Sequence, residues 1–263
     1  MRPIPFVKAS ACGNDFLLIN GALAPHDVAE FTRRICDRHE GVGADGVEWM
    51  FRHFSADIEI RLVNSDGSAA EISGNGTRCV AAYVCSQQGK ERISILTGAG
   101  LKICSLTARR ENEYEFEAEM GEAVVEPEVT LALSGGEIRG VPVSMGNPHF
   151  VIFVPEFPGH WATRSAEIQR NPRFAEGVNV EWVAPAGSKQ DLRARFFERG
   201  AGETRSSGTG SCALAVAAIA AGHAKSPVKV QTPGGTQTVR QEGNKIFLRG
   251  WARLVGRGEF FVS

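Results

Sequence analysis

The sequence predicts an α+β protein made of two similar halves, each a set of strands about one central, apolar helix. Three observations predict this. Ser73-Gly74-Asn75-Gly76-Thr77-Arg78-Cys79 has an echo far downstream in Ser207-Gly208-Thr209-Gly210-Ser211-Cys212, each a Ser-Gly-x-Gly turn. Each turn opens into a run of small apolar residues, Val80 to Val84 in one case and Ala213 to Ala220 in the other. The second run is apolar all round, which suits a helix enclosed on every side. The upstream context also repeats: Asn64 lies nine positions before Ser73 and Glu198 nine before Ser207, with Asp66-Gly67 and Gly200-Ala201-Gly202 as the glycine-containing links. The chain reads as a diverged duplication.

The elements follow in order. Phe6 to Ala11 and Phe16 to Asn20 are strand-like runs around Cys12-Gly13-Asn14-Asp15, a hairpin or sharp-bend composition with Asn14 at its tip. Val28, Phe31, Ile35 and Cys36 fall near helical spacing, with Pro25 or His26 near the start and Gly41 just past the end. Gly41-Val42-Gly43-Ala44-Asp45-Gly46 lacks the Lys-Ser/Thr ending of a phosphate-binding loop and precedes a strand, Val47 to Phe51, so it is a turn. Ile58, Ile60 and Leu62 alternate with Glu59 and Arg61, a half-buried strand that delivers Asn64 to its end. Ile93 to Leu96, Leu101 to Leu106 and Tyr114 to Met120 are further strands, and Pro127 to Gly140 is expected to be a linker and the start of the second half, with a Gly135-Gly136 turn. In the second half, strands are expected at Val151 to Val154, Val178 to Val183, Leu192 to Phe197, Val228 to Val230, Thr236 to Val239, Lys245 to Leu248 and Trp251 to Phe261. Strands, a central helix, more strands and the same again indicate α+β halves rather than a doubly wound sheet. The halves are drawn at 1–115, with 250–263 returning to it, and 116–249.

At 263 residues either one large or two smaller domains can bury a core. A net charge of −1, with 22% charged and 43% hydrophobic residues, offers no basic field for nucleic acid and no case for disorder. A small-molecule partner is expected, with no nucleic acid and no membrane. The N-terminus carries no apolar stretch with a cleavage site, and the run around Ala213 to Ala221 is too short to span a bilayer, so a soluble, cytoplasmic protein is expected. The six cysteines, Cys12, Cys36, Cys79, Cys85, Cys104 and Cys212, have neither CxxC nor framework spacing and read as free thiols in a reducing compartment, most of them in the core. No metal site is expected.

Glycines at a helix entrance let backbone N–H groups approach a ligand, and the helix N-terminus offers unpaired donors and the positive end of its dipole to an anion. Two such turns would hold a carboxylate. Singly, the same features have plainer readings: a tight turn into a helix at each Gly-x-Gly, turn-forming roles for Asn14, Asn64 and Asn147 beside Gly or Pro, a hydrogen-bonded structural role for His149, and a surface pair at Glu198-Arg199.

Seven motifs in order resemble the diaminopimelate epimerase family over nearly the whole chain: Gly13-Asn14-Asp15-Phe16, Arg38 to Gly46, Asn64 to Ala69, Gly74 to Cys79, Met145-Gly146-Asn147-Pro148-His149, Val178-Asn179-Val180-Glu181, and Glu198 to Thr204. The resemblance implies two pseudo-symmetric domains, each a curled, barrel-like sheet around a central helix, with the active site in the cleft between them. It implies an isomerase that inverts one α-carbon of a diamino-diacid without a cofactor, interconverting LL- and meso-diaminopimelate in lysine and peptidoglycan precursor synthesis. In the family two cysteines at the two helix N-termini move the proton, one on each face. The resemblance also implies a substrate shell of Asn14, Asn64, Gly74, Asn75, Asn147, Asn179, Glu198, Arg199, Gly208 and Thr209, with His149 and Glu198 tuning the acid–base pair. A distal carboxylate suits the Arg fork and amide donors, and an ammonium suits Glu198. A homodimer is left open.

Where the family carries those cysteines, this chain has Ser73 and Ser207. Cys79 and Cys212 lie about a turn or more into each helix, where the family also has cysteines, so they are core residues and not displaced replacements. A hydroxyl ionises roughly five or more pH units above a thiol of pKa ~8.5, on the order of 7 kcal/mol against forming the base. Serine nonetheless keeps each helix capped. Three readings stay open: an epimerase that works slowly or through another base, a chain inactivated so that it traps ligand, and a relative with other work. The last includes a non-catalytic diaminopimelate-binding protein or a different isomerase of the same fold, such as one resembling the phenazine-biosynthesis enzyme.

Overall fold

The computed structural model describes residues 3–188 and 191–261. The chain divides into two compact units, one comprising the residues up to Ala118 together with those from Gly250 onward, the other Glu119–Arg249. The first cut falls inside a continuous strand, Glu113–Glu122, three residues beyond the boundary drawn from sequence.

In the first unit, strands Pro3–Ala11 and Asn14–Asn20 form a hairpin in which Ala11 faces Asn14. Its two turn residues, Cys12 (φ 47°) and Gly13 (φ 85°), are both left-handed, the backbone that a two-residue hairpin needs. Helix α1 (Val28–Cys36) then crosses over to strand Gly46–Phe51, parallel to Asn14–Asn20. Helix α1 begins just past Pro25 and His26, and Asp27 caps it by accepting the Glu30 N–H. Strand Ile58–Asn64 runs antiparallel to Gly46–Phe51, and helix α2 (Gly74–Gln88) crosses over to Arg92–Thr97, which is parallel to Ile58–Asn64. Gly100–Arg110 and Glu113–Glu122 continue the sheet antiparallel. The final strand, Lys245–Phe261, pairs with Pro3–Ala11 and with Glu113–Glu122, so the sheet closes. Trp251 to Phe261 and Lys245 to Leu248, expected as two strands, are one, running through Gly250; a Cβ there would sit 3.2 Å from the Arg78 guanidinium carbon.

The second unit repeats the series. Gly136–Ser144 and Pro148–Phe153 form the hairpin; helix α3 (Trp161–Gln169) crosses to Asn179–Pro185, parallel to Pro148–Phe153; Asp191–Glu198 follows antiparallel. Helix α4 (Gly208–Ala220) then crosses to Val228–Thr232, parallel to Asp191–Glu198, and Gly235–Glu242 follows antiparallel. Two sequence expectations are corrected here. Pro127 to Gly140 is not a linker: Val129–Leu133 pairs with Gly136–Ser144 as a tight hairpin, its turn at Ser134-Gly135 and not at Gly135-Gly136. Helix α3 had no sequence counterpart, because its buried stripe is only Trp161, Ser165 and Ile168 and no side chain caps its start.

Each unit has two apolar layers. The inner layer surrounds the central helix: Val80 is 0% and Val216 3% exposed, and every residue from Gly210 to Ala218 is buried. That helix has no polar face to offer water, so only a closed sheet accommodates it. The outer layer lies under the crossover helix, Phe31 and Ile35 on Val47 and Trp49 in one unit, Trp161 and Ile168 on Val180 and Trp182 in the other. Because side chains alternate along a strand, Val47 and Trp49 facing outward leave Glu48 and Met50 facing α2. Val180 and Trp182 likewise leave Glu181 and Val183 facing α4.

Candidate active site

In the first unit Ser73, with extended backbone (φ −121°, ψ 120°), is the N-cap of α2: its hydroxyl accepts the Gly76 N–H at 3.1 Å. Thr77 Oγ1 donates to the Ser73 carbonyl at 2.8 Å and braces the same turn. Space is open over the Gly74 α-carbon, leaving that first helical residue approachable. Asn14 and Asn75 are joined directly. The Asn75 amide donates to Asn14 Oδ1 at 2.7 Å, the Asn14 amide donates to Asp45 Oδ2 at 2.9 Å, and Arg78 donates to Asn75 Oδ1. Asn64 stands apart from this chain of amides; its side chain donates to Ser68 Oγ at 3.1 Å and closes its own turn.

The second unit presents a matching start. Ser207 (φ −136°, ψ 132°) caps α4, its hydroxyl accepting the Gly210 N–H at 3.2 Å, with Gly208 and Thr209 as the first two helical residues. Asn147 Nδ2 donates to Thr209 Oγ1 at 3.5 Å, and Asn147 Oδ1 lies 3.0 Å from His149 Nε2. His149 Nδ1 is 2.7 Å from Glu181 Oε1, with both side chains wholly buried. If Nε2–H donates to Asn147, the Nδ1 contact holds the one proton this pair shares. Asn179 spends its amide on the backbone, donating to the Pro148 carbonyl at 3.0 Å and accepting the Arg199 N–H at 3.0 Å. It therefore positions Arg199. The Arg199 side chain is exposed, donates to the Glu176 carbonyl at 2.8 Å and passes so close to Gly177 (φ 77°) that a Cβ there would be 2.8 Å from Cδ. Glu198, half-buried at the end of its strand, adds a negative charge near Glu181.

Each unit thus holds a serine-capped helix start with an Asn brought to it by the neighbouring hairpin. Electrostatics distinguish the groups beneath them. Burial raises the Cys79 thiol far above its ordinary value, which fits an inert core residue. Burial pushes the Glu48 carboxyl up to about 8. Glu181 is also raised, by burial first; His149 opposes that and the Glu198 charge adds to it. Glu48 is not a residue that sequence reasoning singled out, and Glu181 entered only as part of a motif. The signal was present: Val47-Glu48-Trp49 recurs as Val180-Glu181-Trp182, at the spacing that separates Asn14 from Asn147. Among the described residues no group of His, Cys, Asp and Glu is placed to hold a metal ion, and no helix is long and apolar enough to cross a membrane.

This fold is shared with a class of racemases, epimerases and isomerases. A Bacillus anthracis phenazine biosynthesis protein of the PhzF family superposes with a TM-score of 0.75 over 100% of both chains at 17% identity. An Agrobacterium vitis hydroxyproline epimerase with bound trans-4-hydroxy-L-proline superposes with a TM-score of 0.69 over 99% of this chain and 91% of that one, at 19% identity. In sequence, residues 6–126 and 141–255 match the diaminopimelate epimerase family. The diaminopimelate epimerase of Pelotomaculum thermopropionicum is 35% identical, covering 97% of this chain and 98% of its own length, and that of Desulfovibrio desulfuricans is 34% identical over 98% of each. The chain belongs to the diaminopimelate epimerase family.

Proposed function

We propose that the chain is a cofactor-independent amino acid epimerase that interconverts LL- and meso-diaminopimelate, in the cytoplasm, for lysine and peptidoglycan precursors. The observation that carries this reading is the duplicated, serine-capped helix start, with Asn14 and Asn75 at one and Asn147, Thr209 and His149 at the other, in a chain of this family. The N–H groups of the first turns suit a carboxylate and would offset charge as a carbanion develops at the α-carbon. Glu198 and the Arg199 fork suit the distal ammonium and carboxylate of the same molecule, with Asn179 holding Arg199 in place. Asn64, which donates to Ser68 here, is proposed as a further substrate contact. Ser73 and Ser207 occupy the proton-transfer positions.

Titration calorimetry tests the substrate. Both isomers are expected to bind, and Arg199→Ala is expected to weaken binding about 30-fold or more, as loss of one partner of a carboxylate pair does. Preference for a substrate with one amino acid group would favour a different isomerase of this fold, and absence of binding by either isomer removes the reading.

A further inference from the structure

A buried carboxyl lies beneath the second glycine of each serine-capped turn, and the two carboxyls occupy equivalent places in the duplication. Glu48 lies on the inner face of its strand, against the third residue of α2. A Cβ at Gly76 would overlap Glu48 Oε1, and the same point is 3.0 Å from Glu48 Cδ and 3.3 Å from Ser73 Cβ. Glu181 repeats this beneath α4, where a Cβ at Gly210 would lie 2.9 Å from Glu181 Oε1. The second Gly of each Ser-Gly-x-Gly turn is thus the gap through which a carboxyl reaches the helix start. Both Glu48 oxygens are buried without a hydrogen-bond partner among the described residues, as is Glu181 Oε2. An unpaired buried carboxyl is costly, and strand positions filled by Val, Trp and Met on either side would take an apolar residue at no such cost. Meanwhile the Ser73 oxygen accepts from Gly76, which leaves its own hydrogen available to donate.

We infer that Glu48 and Glu181 are the proton reservoirs of this site, working through the serine hydroxyls that stand where the family has thiols. In the direction that starts from the ionised form of Glu48, the form left when the reverse turnover has taken its proton, Ser73 Oγ takes the substrate α-proton as the Ser73 hydroxyl hydrogen passes to the Glu48 carboxylate. On the opposite face, Ser207 gives its hydrogen to the α-carbon and is reprotonated from the proton shared by Glu181 and His149. One C–H bond breaks and one forms, both serines end as neutral hydroxyls, Glu48 has gained a proton and the Glu181–His149 pair has lost one. The reverse reaction, or exchange with solvent, resets them. No alkoxide stands alone at any point, which removes part of the ~7 kcal/mol that an isolated serine base would cost. The inference rests on the epimerase reading and names how that site moves protons.

The test compares the same variants in two backgrounds, the chain as it stands and a Ser73→Cys/Ser207→Cys chain, by α-proton exchange of LL- and meso-diaminopimelate in deuterated water. Glu48→Gln and Glu181→Gln keep shape and remove the reservoir. In the serine chain each is expected to slow exchange ~100-fold or more, the scale of a lost general acid or base, with the two variants affecting opposite directions of the reaction most. In the cysteine chain, where the thiol itself holds the proton, the loss is expected to be at least ten times smaller. Equal losses in the two backgrounds would make the carboxyls structural and overturn the inference. Exchange by the cysteine chain alone would overturn it while leaving the family reading intact; exchange by neither chain would overturn both.

Discussion

Placing cysteine at both helix caps, as Ser73→Cys/Ser207→Cys, is expected to raise the rate of α-proton exchange by about three orders of magnitude or more. The comparison is clean because the change is confined to one atom at each cap. A thiol at a helix N-terminus has a pKa at or below ~8.5 and a large thiolate fraction near neutrality, whereas the serine hydroxyl has almost none. Ser73 and Ser207 each place the side-chain atom at the first turn, through the bonds to Gly76 and Gly210. Sulfur is larger and a weaker acceptor, so the cysteine chain is expected to lose about 1 kcal/mol of cap stability at each helix. The measurement is deuterium uptake at the α-carbon by both chains under identical conditions. A cysteine chain no faster than the parent would mean that the caps are not the proton-transfer positions.

Glu48 is expected to make the protein less stable as the pH rises from about 5 to 8. The sign follows from where the proton sits. The folded carboxyl holds its proton up to about pH 8, while the same side chain in the unfolded chain ionises at 4.5. Between those values the folded state binds more protons, so stability is full below about 4.5, falls through the interval and levels off above it. The full extent is on the order of 4 kcal/mol. Glu48→Gln carries no charge to bury, so its melting temperature is expected to fall less with pH than the parent's, by about 10 °C over this range. Differential scanning at pH 5 and 8.5 on both proteins reads the difference. Parallel pH dependence in the two would show that Glu48 ionises in the fold as freely as in water.

Much of the architecture was legible in the sequence because its strongest local signals are also its structural centre. A Ser-Gly-x-Gly turn that leads into a mostly small, apolar run reads as a capped helix in an interior, and having two of them implies two interiors. Helix α3 was not legible: one Trp and one Ile over nine residues make too thin a stripe. The duplication could have supplied it, since the parallel strands Pro148–Phe153 and Asn179–Pro185 need a crossover as Asn14–Asn20 and Gly46–Phe51 do. The Val129–Leu133 strand was read as a linker although four of its five residues are apolar, because Pro127 and the Gly135-Gly136 pair flanking it carry the composition of a connection.

At the site, residue types and turns were legible but partners were not. Nothing local in Asn179 says that both ends of its amide are spent on Pro148 and Arg199, or that Asn64 closes onto Ser68. Glu48 was hidden for a different reason. In Val47 to Phe51 it interrupts an apolar strand, and only the fold shows that period two turns it to the interior, under a glycine that leaves it room.

The most direct test of the account is where solvent deuterium goes in a single conversion. The chain as it stands is incubated with LL-diaminopimelate in deuterated water, and product and remaining substrate are separated at low conversion and weighed by mass spectrometry. If two groups act on opposite faces, the meso product carries one deuterium at the inverted carbon from the first turnover while the recovered LL substrate stays nearly unlabelled. Equal label in substrate and product at early times would indicate one group serving both faces, and no label in either isomer over the pH range 6 to 10 would contradict an epimerase in this chain.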